Sequence, residues 1–160
     1  QNNFEERENF QNYFASLYGI LRKVHDLKLH RPLGETPEMS KPKKSESWRS
    51  GRSMRNIIIN LESAQKLFQG EVSFGMDNLI QNITPETYMV RDFNITMNFA
   101  LKTAREIPIP LHKAVIDYKW HDQVDQLKAQ ISRMMAMVRA RIFLSFGIGT
   151  GFNFLDGDSI

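Results

Sequence analysis

The stretch Glu46-Ser47-Trp48-Arg49-Ser50-Gly51-Arg52-Ser53-Met54-Arg55-Asn56-Ile57-Ile58-Ile59-Asn60 lies where a long polar loop gives way to a helix. Its second half carries the pattern that decides the fold. Ile57, Leu61, Ala64 and Phe68 recur at four-three-four spacing, which places them on one stripe of a helix over 51–69. Ile58 and Leu67 widen that stripe, and Gly70 is a natural C-terminal stop. The first half is a concentration of polar chemistry: the Glu46 carboxylate, the hydroxyls of Ser45, Ser47, Ser50 and Ser53, the guanidinium groups of Arg49, Arg52 and Arg55, and the Trp48 indole. Asn56 and Asn60 add carboxamides on the helix itself. A helix start offers free backbone N–H groups and a partial positive charge, so it attracts anions and oxygen-rich ligands. The plainer expectation is that Ser50 or Ser53 caps the helix and the arginines are solvated.

The same periodicity extends outward in both directions. Upstream, Phe10, Phe14, Leu17, Leu21 and Val24 form one stripe of a helix over about 5–29, acidic near its start and basic near its end. Between the two helices, residues 31–49 hold Pro32, Pro37 and Pro42 among polar residues and read as a long loop. Downstream, Phe74, Met76, Leu79 and Ile80 suggest a short helix after Gly75. Thr84-Pro85-Glu86 then reads as a helix start: a hydroxyl cap, proline at the first position and an early carboxylate. That third long helix runs to about Glu106 with Val90, Phe93, Met97, Ala100, Leu101 and Ala104 inward, and Pro108 and Pro110 break it. A short helix over 111–118 precedes a fourth long helix over 119–145, with Val124, Leu127, Ile131, Met134, Val138 and Ile142 on its stripe. The glycine-rich, apolar end, Phe146 to Asn153, reads as irregular and packed. No run alternates as strands do. The expectation is an all-α fold, an antiparallel bundle of four long helices with short extra helices, forming a single domain over 1–160.

Composition removes several function classes. The chain has no cysteine, which excludes disulfides, thiolate metal sites and a cysteine nucleophile. A net charge of +3, with no aromatic residues interleaved among the basic ones at Lys41, Lys43, Lys44, Arg49, Arg52 and Arg55, argues against a nucleic-acid groove. No apolar run approaches the length that spans a bilayer, about 20 residues. Gln1-Asn2-Asn3 opens the chain with neither an initiator methionine nor a signal-like segment, so a processed product or a fragment is expected. His25, His30, His112 and His121 show neither i, i+4 spacing nor an H-E-x-x-H motif, so no metal site is legible in their spacing. Asp156-Gly157-Asp158 looks like the opening of a calcium loop but lacks the later acidic ligands, and reads as a turn. The eight methionines fall mostly on helix stripes, as core fillers.

Several short motifs, in order, resemble the imelysin family, which includes insulin-cleaving peptidases and an iron-regulated protein. Leu29-His30-Arg31-Pro32-Leu33-Gly34 is similar to the family's K-L-G-R-P-L-G loop. Glu46-Ser47-Trp48-Arg49-Ser50, Ser53, Asn56 and Asn60 resemble its E-S-x-x-S-x-x-S followed by an asparagine-bearing helix, with Gly70 closing that helix. Ile107-Pro108 with Pro110-Leu111 is similar to its I-P-x-P-L break, and Gly151-Phe152-Asn153 with Asp156-Gly157-Asp158 to its terminal G-F-N-x-x-D-G-D. The resemblance implies an all-α protein of two helical-bundle halves, exported to the bacterial periplasm or cell surface, often as a lipoprotein, with a site between the halves. It makes this chain similar to the C-terminal half, or to a divergent member without its first half. The family's G-x-H-x-x-E motif belongs to the other half and is absent here.

The resulting expectation is a ligand-binding, non-catalytic portion of an imelysin-like protein, tied to iron or haem uptake and partnered by an N-terminal half. Its ligand-binding residues are Glu46, Ser47, Ser50, Ser53, Asn56 and Asn60 from the resemblance, with Arg49 and Arg52 added from the chemistry of the helix start. No catalytic residue is assigned, and iron or haem is the cofactor class to test. Two alternatives stand beside it: a metallopeptidase, which needs an activated water and usually three protein ligands, and a purely structural helical domain in which the serines are caps.

Overall fold

The computed structural model describes residues 2–70, 75–83 and 88–146. They are mostly helical, with no strand among them. The helices are α1 (Asn2–Arg22), continued by a π-helix (Lys23–His30), then α2 (Ser53–Gln69), α3 (Met76–Ile83), α4 (Tyr88–Glu106), α5 (Leu111–Ala114) and α6 (His121–Phe146).

The four long helices close into a ring, α1 on α2, α2 on α4, α4 on α6 and α6 on α1. Polar pairs at the seams give the directions. Glu62, Gln65 and Gln69 meet Arg105, Asn98 and Asn94 in turn, so α2 and α4 run antiparallel. His121 reaches Gly34 while Arg139 reaches Tyr18, so α6 descends as α1 rises. The all-α antiparallel bundle is therefore the fold, and its core is built from the stripes. Leu17, Leu21, Val24, Ile57, Leu61, Phe68, Phe93, Met97, Leu127, Ile131 and Met134 are all fully buried. Phe68 and Phe93 stack across the α2–α4 seam with ring centroids 4.0 Å apart. Six of the eight methionines are buried, and Met39 is exposed.

Two expectations are corrected and one is refined. The first helix does not stay α-helical to 29: from Lys23 to His30 it widens into a π-helix. The next buried residue after Val24 is Leu29, five positions on, while Leu27 is exposed. A ladder running from i to i+5 brings those two leucine-spaced positions onto one face, where an α-helix would not. Second, the long loop over 31–49 is a loop as expected, but it carries local structure that the spacing did not give. It folds into three 3₁₀ turns, Pro37–Met39, Pro42–Lys44 and Trp48–Ser50. Third, neither Ser50 nor Ser53 caps α2. Arg52 occupies the cap position, with no side-chain cap bond. The expected start at 84–86, Phe74 and the terminal motifs at 151–158 lie outside the described residues.

The loop is held to the bundle by an exposed bond with a measurable signature. The Tyr118 hydroxyl donates to the Glu38 carboxylate. That bond, followed by one from Thr36, holds Glu38 below the usual carboxylate range, and it pushes the Tyr118 phenol above its usual 10.0. The sign follows from linkage. Glu38 contributes stability above its unfolded pKa and loses it as pH falls through the lower folded value. Tyr118 contributes below its unfolded value and loses it as pH rises through the higher folded one. Tyr118→Phe is expected to raise the Glu38 titration toward the ordinary carboxylate range in a pH series of side-chain carboxyl NMR shifts. An unmoved midpoint would show that the bond does not form in solution.

Candidate functional site

The polar stretch that opens α2 is assembled by its neighbours. The turn Pro42–Lys44 packs on α5, and the Trp48–Ser50 turn follows directly. That second turn is bracketed by two left-handed residues, Ser47 at φ 55 and Gly51 at φ 67. Glycine takes this conformation freely, whereas serine pays about 1–2 kcal/mol for it. The surrounding contacts hold it there. Arg49 lies over the Trp48 ring, 5.0 Å from its centroid, and the edge of His112 on α5 meets the same indole at 6.2 Å.

The structure separates the expected residues into two groups. Glu46 and Ser53 fasten the loop. The Glu46 carboxylate pairs with Lys28, whose side chain is only 14% exposed, at the end of the π-helix. A lysine so enclosed needs its counter-charge. Ser53, itself buried, donates its hydroxyl to the Glu46 carbonyl. Ser50 donates to the Ser47 carbonyl at 3.0 Å, a bond internal to the turn. The hydroxyl of Ser47, the guanidinium of Arg52 and the half-buried carboxamides of Asn56 and Asn60 have no partner among the described residues. Asn56 and Asn60, four apart, share one face of α2.

Two further groups stand outside the expected ligand-binding residues. Ser45 is 3% exposed and its Oγ has no hydrogen-bond partner among the described residues. His112 Nδ1 is buried and likewise has no partner among the described residues. Both flank the Trp48 turn. A buried polar atom without a partner carries a desolvation penalty of about 1–3 kcal/mol, so such atoms mark places where water or a ligand belongs. The uncapped start of α2 adds backbone N–H donors and the positive end of the helix dipole. Lys28 and His112 escaped the sequence reading because their partners stand 18 and 64 positions away, beyond any helical period. A groove of about 320 Å³ between α4 and α6, lined by Asp92, Ile95, Phe99, Gln126 and Arg133 among others, contains none of these residues.

Fold and site together define a helical-bundle protein with a cationic, hydroxyl-rich rim where one bundle helix begins. The family model described as peptidase M75, imelysin, matches residues 1–136. The chain belongs to the imelysin family. The matched span takes in the loop at 29–34, the stretch at 46–60 and the proline break at 107–111, and stops short of the terminal motif. No curated protein and no solved structure matches the chain.

Proposed function

We infer that this chain is the ligand-binding portion of an imelysin-like protein serving iron or haem uptake at the bacterial periplasm or cell surface, completed by an N-terminal half. The observation that carries this reading is the buried, unpartnered Ser45 hydroxyl beside the uncapped start of α2. The ligand class it supports is a carboxylate-bearing one, an iron chelate or a haem propionate. Ser47, Arg49, Arg52, Asn56 and Asn60 supply its donors, and Glu46, Ser50 and Ser53 hold the rim in shape. Arginine and free helix N–H groups are the recognised partners of a carboxylate.

The reading makes opposite demands on stability and binding at one residue. Ser45→Ala removes an unsatisfied buried hydroxyl, so the free protein is expected to keep or gain stability, by up to about 1 kcal/mol. Affinity for ferric citrate or haem is expected to fall about tenfold, as for the loss of one good hydrogen bond. Calorimetric titration beside urea unfolding measures both. Unchanged affinity in Ser45→Ala, and in Arg52→Ala, for whichever compound binds sinks the reading.

The family's description as a peptidase favours a second reading, metal-dependent peptide hydrolysis. Among the described residues no group of three or more His, Asp or Glu side chains is placed to hold a metal ion. A three-ligand hydrolytic centre therefore does not fit these residues, and this reading needs ligands from the partner half. Chelator-sensitive cleavage by the isolated chain would reverse the ranking.

A further inference from the structure

The π-helix Lys23–His30 creates a second arrangement, separate from the rim. Its ladder runs from i to i+5, so residues five apart share one face. His25 and His30 are such a pair. On an α-helix, with 3.6 residues per turn, five steps would carry His30 roughly 140° around the axis. Here the two imidazoles lie within 5° of parallel, with centroids 6.4 Å apart.

The pair is also oriented. His25 Nδ1 lies 2.7 Å from Asp26 Oδ1. An ionised carboxylate only accepts, so His25 donates from Nδ1, and in the neutral ring the lone pair is on Nε2. This is the carboxylate–histidine arrangement that fixes the tautomer of metal-bound imidazoles. His30 is exposed, and among the described residues neither of its nitrogens nor His25 Nε2 has a hydrogen-bond partner. Two cations of the same segment are engaged, Arg22 with Asp26 and Lys28 with Glu46.

We propose that His25 and His30 form a two-imidazole site for a late first-row divalent cation, Cu²⁺ ahead of Zn²⁺, with water completing the coordination shell and Asp26 as a positioning residue. Imidazole suits these metals, and the order follows the general affinity series. Two metal–nitrogen bonds of about 2.0–2.1 Å, plus the reach from each nitrogen to its ring centre, can span the 6.4 Å separation only with the two nitrogens turned toward each other across the ion, which the parallel rings do not yet do. A swing of the exposed His30 ring closes the angle. With two protein ligands this is a binding site and not a hydrolytic centre, and it does not depend on what the rim binds.

The test is a Cu²⁺ titration of the full chain, followed by calorimetry and electron paramagnetic resonance. One equivalent is expected to bind, with superhyperfine structure from two imidazole nitrogens and weaker competition by Zn²⁺. His25→Gln and His30→Gln are each expected to lower the affinity at least tenfold. Asp26→Asn is expected to lower it about tenfold while keeping both nitrogens in the spectrum. If His25→Gln disturbs the π-helix, seen as lost helicity, the exposed His30→Gln remains decisive. Wild-type affinity in His30→Gln, or a wild type that binds no more tightly than the double variant, overturns the site.

Discussion

Truncating Phe68 or Phe93 to alanine is expected to destabilise the bundle by about 3–5 kcal/mol each, the usual loss for a fully buried phenylalanine. Both rings are 0% exposed, one from α2 and one from α4, and they stack at 4.0 Å and 26°. Neither has a polar edge that water could rescue, and rings on two separate long helices leave a void that neither helix can collapse into alone. A domain of this size has a total stability of about 5–15 kcal/mol. Either variant therefore removes a large fraction of it. The pair is also expected to couple. In a double-mutant cycle the second truncation should hurt less than the first by about 0.5–1.5 kcal/mol, the excess that aromatic pairs show over burial alone. Urea unfolding of the four proteins measures both quantities. Losses under 1 kcal/mol for both single variants would mean that α2 and α4 do not meet through these rings.

The next largest effect is expected at Gly34, in the loop that leaves the π-helix. A Cβ there would sit 2.4 Å from the Met39 carbonyl carbon, 2.6 Å from its oxygen and 2.7 Å from the Ser40 nitrogen. These are backbone atoms, so no rotamer change relieves the clash. The loop is also closed around this point. Gly34 N–H donates to Ser40 Oγ at 3.0 Å, Lys41 N–H donates to the Pro32 carbonyl at 2.7 Å, and the Gly34 carbonyl receives His121 Nε2 at 3.0 Å. Gly34→Ala must open the loop, at about 1–3 kcal/mol for overpacking. Opening also strips the partner from His121, which is 5% exposed, at a further cost of about 1–3 kcal/mol. A sum near 3 kcal/mol is expected in chemical denaturation. The His121 ring resonances should shift in the same variant. A loss below about 0.5 kcal/mol, with His121 unmoved, would show that the loop accommodates the methyl. The glycine of the imelysin-like loop motif thus has a steric reason: the chain doubles back too closely for any side chain.

Much of the bundle was legible because burial on a helix repeats with the helix. Ile57, Leu61, Ala64 and Phe68 are all fully buried, and so are Val124, Leu127, Ile131, Met134 and Val138. Each lies where its stripe put it. The first helix's stripe held through Val24 and did not reach Leu29, because the backbone changes period from Lys23. Val24 and Leu29 are both buried, but their five-residue spacing belongs to no α-helical face. The rim was legible as composition and not as arrangement. Serines before a helix suggest caps, yet Ser53 turns to the Glu46 carbonyl and Ser50 to Ser47, because the left-handed Ser47 and Gly51 redirect the turn.

Four long helices, their inward faces and the proline break between the third and fourth follow from the order of residues alone, since each depends on neighbours within two turns. Which seam meets which was decided only in the folded bundle. Lys28 finds Glu46, Trp48 finds His112, and Gly34 finds His121 across separations of 18 to 87 positions. Local periodicity carries no term for such pairs. They are set by how the bundle closes and by the turns that lay the 31–52 loop against it, and those depend on every helix at once.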